Sequence, residues 1–108
     1  MYIVVLVTAA NLDESQKIGR RLIEQKLAAC VNIVENIKSI YWWQGKVDQS
    51  QEVLMVIKTK KSLFKKLMAT VKSLHSYTVP EIIALPITDG NKDYLNWIRD
   101  SVVNKGIG

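Results

Sequence analysis

The chain has 108 residues, 48% of them hydrophobic and 23% charged, with a formal net charge of +5. That length suits one domain around one core, residues 1–108, and the composition is ordinary for a globular protein. No apolar run approaches the roughly 20 residues a membrane helix needs, and the single cysteine, Cys30, excludes an intrachain disulfide.

Residues 2–8 (YIVVLVT) are rich in β-branched side chains and read as a first strand. This apolar start is too short for a signal-peptide core, and nothing basic precedes it, so the chain reads as cytoplasmic. Asn11, with Glu14 three residues on, or Asp13, with Gln16, can open a helix through a capping box. Ile18, Leu22 and Ile23, with Gly19 beside them, form its apolar stripe, which ends near Leu27.

Residues 28–60 predict one long β-hairpin. A strand over 28–34 leads to the aromatic run Tyr41-Trp42-Trp43, a turn at Gln44-Gly45 follows, and a second strand covers 52–59. Polar residues around Asn36 and over 48–51 predict interrupted or bulged limbs. Ser62 reads as the cap of a second helix striped by Leu63, Leu67, Val71 and Leu74. A polar loop, residues 75–81, precedes a strand over 82–88. Pro86 places that strand at an edge or a bulge, because proline cannot donate to a ladder. Asp89-Gly90 turns the chain into a last helix capped by Asn91 and carrying Tyr94, Leu95, Ile98 and Val102, with Gly106 and Gly108 marking a frayed end. The order β-α-β-β-α-β plus a terminal helix is the ferredoxin-like, α+β arrangement.

Two helices cover one sheet face, yet the strands are apolar on both. Val4 and Leu6 alternate with Ile3, Val5 and Val7, and Leu54 and Val56 alternate with Val53, Met55 and Ile57. A second buried face, most simply against copies of the same chain, is the expectation. The lysines at 58, 60, 61, 65, 66 and 72 read as a solvated surface, because the strands lack the stacking aromatics of an RNA-recognition sheet. No nucleic-acid or membrane partner is therefore expected. Cys30 and His75 are the only soft-metal ligands besides methionines and carboxylates, and no paired ligand motif accompanies them. They are also the only nucleophile-base option, and Cys30 sits within a predicted strand, so an enzyme is not expected. An acylphosphatase-like hydrolase would need a phosphate-cradling loop after the first strand, and Ala9-Ala10-Asn11-Leu12 offers neither glycine nor arginine.

Four motifs now stand in order: residues 27–32 (LAACVN), 41–46 (YWWQGK), 56–59 (VIKT) with 75–83 (HSYTVPEII), and 94–97 (YLNW). Together they resemble the CutA family of divalent-cation tolerance proteins over nearly the whole chain. The resemblance implies a compact homotrimer of PII-like architecture, with hairpins wrapped onto neighbouring subunits. It implies a role in the response to metal ions, no required cofactor, and copper or another divalent cation as the ligand. A PII-like scaffold acting through a protein partner, without metal chemistry, is the alternative. The family's cleft residues carry over to Cys30, Tyr41, Trp43, Lys58, His75, Tyr77 and Glu81, with Cys30 and His75 as the metal ligands. Ser76 and Thr78 replace the family's usual Pro and Glu, Gln44 its Glu, and Val7 and Leu74 stand where copper-binding members have Cys and His. Weak copper affinity follows.

Overall fold

In the computed structural model, which describes residues 1–103, every expected element forms. They are strand β1 (Tyr2–Ala9), helix α1 (Leu12–Glu24), strands β2 (Cys30–Trp43) and β3 (Lys46–Lys60), helix α2 (Phe64–Leu74), strand β4 (Ile82–Pro86) and helix α3 (Lys92–Ser101). The sheet is antiparallel throughout, in the order β2-β3-β1-β4. This is the strand order of the split βαβ unit, and β4 with its Pro86 lies at an edge as expected. The expected frayed glycines, Gly106 and Gly108, lie outside the described residues.

Strand alternation assigns the two faces. Ile3, Val5 and Val7 pair with Thr59, Ile57 and Met55, and all six are buried beneath Ile18 and Leu22 of α1 and Leu67 and Val71 of α2. Gly19 permits the close seat of α1, because a Cβ there would stand 3.2 Å from Val31 Cγ1. The intervening residues, Val4, Leu6, Leu54 and Val56, turn to the other face and are only half-buried, while Ile83 and Leu85 of β4 are exposed.

Local chemistry explains the element ends. Asn11 caps α1 by accepting from Glu14 N at 2.8 Å, and Asn91 caps α3 by accepting from Asp93 N at 2.9 Å. At the far end of α1, Leu27 N donates to Leu22 O and Lys26 N to Ile23 O, which is the Schellman pattern with Lys26 in the left-handed position at φ 56°. A lysine there carries Cβ strain that glycine lacks. Lys26→Gly is expected to raise stability by roughly 0.5–1 kcal/mol, seen as a higher urea midpoint at unchanged slope. Ser62, expected as a helix cap, instead sits inside a 3₁₀ turn (Lys61–Leu63) that leads into α2 without a side-chain cap. The polar residues 48–51 do not interrupt β3, because each pairs with the aromatic limb opposite. The last strand stops at Pro86 rather than Thr88, although Ile87 N still donates to Tyr2 O.

The hairpin extends well past the sheet. β1 stops pairing with β3 at Val53, so the seven residue pairs beyond it project about 20 Å, and the described residues measure 46 × 27 × 22 Å. Its tip is a two-residue turn with Gln44 at φ 52° and Gly45 at φ 78°, the paired positive φ of a type I′ turn. One irregularity interrupts the ladder. Val34 pairs with Leu54 but Ile37 pairs with Glu52, with Asn36 at φ 62° between them. This bulge adds one residue to β2. Before it, the even positions Cys30, Asn32 and Val34 share a face with Lys58, Val56 and Leu54. After it, the odd positions Ser39, Tyr41 and Trp43 share that side with Glu52, Ser50 and Asp48.

Candidate functional site

The bulge splits the aromatic run. Tyr41 and Trp43 turn toward a cavity at the hairpin base, while Trp42 turns the opposite way beside its cross-strand partner Val47. Trp42 and Val47 are 75% and 63% exposed, a pair of apolar side chains on the hairpin's outer side, whereas Ile40, 68% exposed, borders the cavity.

The cavity has a volume of about 740 Å³. Its walls include Tyr41 and Trp43 from β2, Asp48 and Glu52 from β3, Thr8 from β1, and residues 76–79 with Glu81 from the loop before β4. Glu52 is buried and accepts a 2.8 Å hydrogen bond from the Tyr77 hydroxyl. Burial pushes the Tyr77 phenol well above its ordinary range, and its bond to Glu52 pushes it further, so it stays a neutral donor. On the opposite wall Tyr41 and Ser50 share a hydroxyl hydrogen bond at 3.1 Å.

His75 supports this loop rather than lining the cavity. Its Nδ1 accepts from Tyr77 N at 3.0 Å and its Nε2 lies 2.7 Å from Thr8 O. A carbonyl oxygen only accepts, so Nε2 donates to Thr8 O while Nδ1 is the acceptor for Tyr77 N–H. The ring also packs 4.7 Å from the Tyr77 ring. Glu14 fastens the same loop to α1: Oε1 accepts from Ser76 N at 2.9 Å and Oε2 from Ala10 N at 3.1 Å. Burial alone would raise the Glu14 carboxyl. The bonds from Ser76 and Ala10, with His75 nearby, outweigh it and hold the group below its ordinary value.

Cys30 and Lys58 form a separate cluster. They are cross-strand partners; Lys58 Nζ donates to Asn32 Oδ1 and lies 3.8 Å from Cys30 Sγ. Helix α3 closes this end, where burial raises the Tyr94 phenol and the adjacent Cys30 thiol adds to the shift. Lys58 pairs with Val4, whereas His75 bonds Thr8, so the two expected metal ligands lie about 13 Å apart along β1. The seven expected cleft residues therefore divide. Tyr41, Trp43, Tyr77 and Glu81 meet at the cavity, His75 braces it, and Cys30 and Lys58 stand at the other end of the sheet.

Among the described residues no group of three or more His, Cys, Asp or Glu side chains gathers as a metal site. His75 has both ring nitrogens engaged and Cys30 faces an ammonium, so one chain's residues do not fit a bound metal ion. No helix among the described residues is long and apolar enough to cross a membrane. Sequence reasoning missed Glu52, Asp48 and Asn32 as site residues. Plain alternation along β3, continued from Lys58, Val56 and Leu54, is the signal that places the first two.

The family model described as CutA1 divalent ion tolerance protein matches residues 3–101. The chain is 51% identical over 98 residues to the divalent-cation tolerance protein CutA of Thermus thermophilus, covering 91% of this chain and 95% of that one. It is 50% identical to the chloroplastic CutA 1 protein of Oryza sativa, matching 92% of this chain but only 56% of that longer protein. Among solved structures, the periplasmic divalent cation tolerance protein CutA of Archaeoglobus fulgidus superposes with a TM-score of 0.92 at 45% identity, covering 95% of this chain and 100% of that one.

Proposed function

We propose that this chain, which belongs to the CutA1 divalent ion tolerance protein family, works as a single-domain subunit of a homotrimer that serves the response to metal ions through ligand clefts at the subunit boundaries. The observation that carries this reading is the hairpin. It projects about 20 Å beyond the sheet with the exposed apolar pair Trp42-Val47 on one side and the cavity at its base on the other. Exposed apolar surface of this kind marks a contact site, and a second copy is the simplest cover. The half-buried outer sheet face argues the same way.

A divalent ion would then be weakly held, with ligands drawn from more than one subunit, Cys30 of one chain and His75 of another being the soft donors. The names of relatives call two of them divalent-cation tolerance proteins, one of these periplasmic, and a third chloroplastic. We place this chain in the cytoplasm, where a lone thiol such as Cys30 stays reduced; fractionation of cells expressing the native chain reads this directly. No catalytic step is assigned to the site.

Sedimentation velocity with a calorimetric copper(II) titration tests the reading. The expected species is about 37 kDa, three chains of 12.3 kDa, with weak copper binding reduced in both Cys30→Ala and His75→Ala. Monomer alone at micromolar concentration would refute the assembly. Copper binding that survives both substitutions would remove these ligands. A second reading, a scaffold for a protein partner without metal chemistry, is favoured by the engagement of both His75 nitrogens. A trimer with no copper response is its signature.

A further inference from the structure

The cavity's charge is opposite to that of the chain. Against a net charge of +5, its lining holds the carboxylates of Asp48, Glu52 and Glu81 and no lysine, arginine or histidine. Glu52 is kept there at 8% exposure, with the Tyr77 hydroxyl as its neutral partner. A buried carboxylate is retained at a desolvation cost, and a concave wall of one sign concentrates counter-charge.

The carboxylates do not converge. Among the described residues no three acidic, histidine or cysteine groups can share one ion, whereas a hard divalent cation draws six or more oxygens to about 2.0–2.6 Å. Three of the remaining lining side chains are aromatic, Tyr41, Trp43 and Tyr77, beside small hydroxyl and aliphatic residues such as Ser39 and Ile40. Aromatic faces attract ammonium groups and cover alkyl chains, and about 740 Å³ suits a small molecule rather than a bare ion.

We infer that the cavity takes a small organic cation, an ammonium head on an alkyl body, with Glu52, Glu81 and Asp48 meeting its charge and Trp43 and Tyr41 packing against its body. This rests on reading the cavity as the ligand site. It departs from the metal reading, which belongs to Cys30 and His75. The separated carboxylates favour a ligand charged at both ends, because one ammonium can meet Glu52 inside while another meets Glu81 or Asp48 at the exposed rim.

The test is calorimetry with 1,4-diaminobutane on the full chain, read in parallel by tryptophan emission. Saturable binding is expected, weakening as salt rises, with no binding of 1,4-butanediol, which has the same length without charge. Glu81→Gln and Asp48→Asn, both at exposed positions, should each weaken binding about three- to tenfold, and Trp43→Leu about tenfold, with far-UV circular dichroism unchanged. Magnesium chloride should compete no better than sodium chloride of equal ionic strength. Equal binding of the diol, an absence of diamine binding at millimolar concentration, or full affinity in both carboxylate variants would overturn the inference. Sedimentation of the same samples separates the two ideas. An intact trimer that ignores the diamine defeats this inference alone, and a monomer that binds it defeats the assembly alone.

Discussion

Replacing Trp42 and Val47 together by lysine is expected to turn the proposed trimer into monomers and to bring its melting midpoint down into the ordinary range of about 45–65 °C. The wild-type chain is expected to melt above that range, because association adds to the stability of a small core by mass action. Trp42 and Val47 are cross-strand partners on the outward side of the projecting hairpin, and both are mostly exposed in the single chain. They support nothing within it, so the substitution costs little to the subunit's own fold. A buried tryptophan anchor is worth roughly 2–4 kcal/mol at a subunit contact, and two buried lysines without partners add a desolvation cost. Sedimentation velocity and differential scanning calorimetry read both outcomes. A double variant that remains trimeric with an unchanged midpoint would place the interface elsewhere.

Glu14→Ala is expected to destabilise the subunit by about 2–4 kcal/mol at neutral pH. Glu14 answers two backbone N–H groups, Ala10 N before α1 and Ser76 N in the loop under the cavity, and a hydrogen bond to a charged group contributes about 1.5–3 kcal/mol, less at the exposed Ser76. The same carboxylate makes the fold sensitive to acid. Its folded-state value lies below its ordinary 4.5, so between the two the unfolded chain binds more protons and stability rises with pH. The contribution is complete above the ordinary value and is lost as pH falls through the folded one. Urea midpoints of wild type and Glu14→Ala should therefore be far apart at pH 7 and converge at pH values well below 4.5. A gap that stays constant with pH would show that packing, not charge, accounts for the loss. His75, whose Nδ1 lies 3.9 Å from Glu14, is the neighbouring titratable group, and His75→Gln in the same series isolates its share.

Much of this fold was legible before any coordinates. The stripe of α2, that of α1 apart from the exposed Ile23, the caps at Asn11 and Asn91 and the turn at Gln44-Gly45 follow from local rules about periodicity, side-chain acceptors and positive φ. The aromatic run at the hairpin tip and the polar loop after α2 were likewise legible in the residues themselves. What remained hidden depends on register, which no short window of sequence contains. Asn36 announced an interruption, but not that a single residue was added, and without that count Tyr41 and Trp43 cannot be separated from Trp42. Cys30 and His75 looked like a pair because they are the chain's only soft donors besides methionine. The ladder sets them at opposite ends of β1. Glu52 and Tyr77 are 25 residues apart and meet only because the loop crosses back over the hairpin base. Ser62 carried a capping signal, and the 3₁₀ turn after β3 overrode it.

The single extra residue in β2 acts as a phase shift. Side chains along a strand form a wave of period two, and the bulge advances that wave by half a cycle midway along the hairpin. Everything distal to Asn36 inherits the shift. The identity of the cavity wall is thus encoded in a count rather than in any one side chain. Losing or gaining one residue between Val34 and Ile37 would exchange the two sides of the tip, sending Trp42 inward and Tyr41 and Trp43 outward with no aromatic residue altered. Changes of two would restore the phase. Hairpins of this kind can vary in length only in even steps if the same surfaces are to be kept.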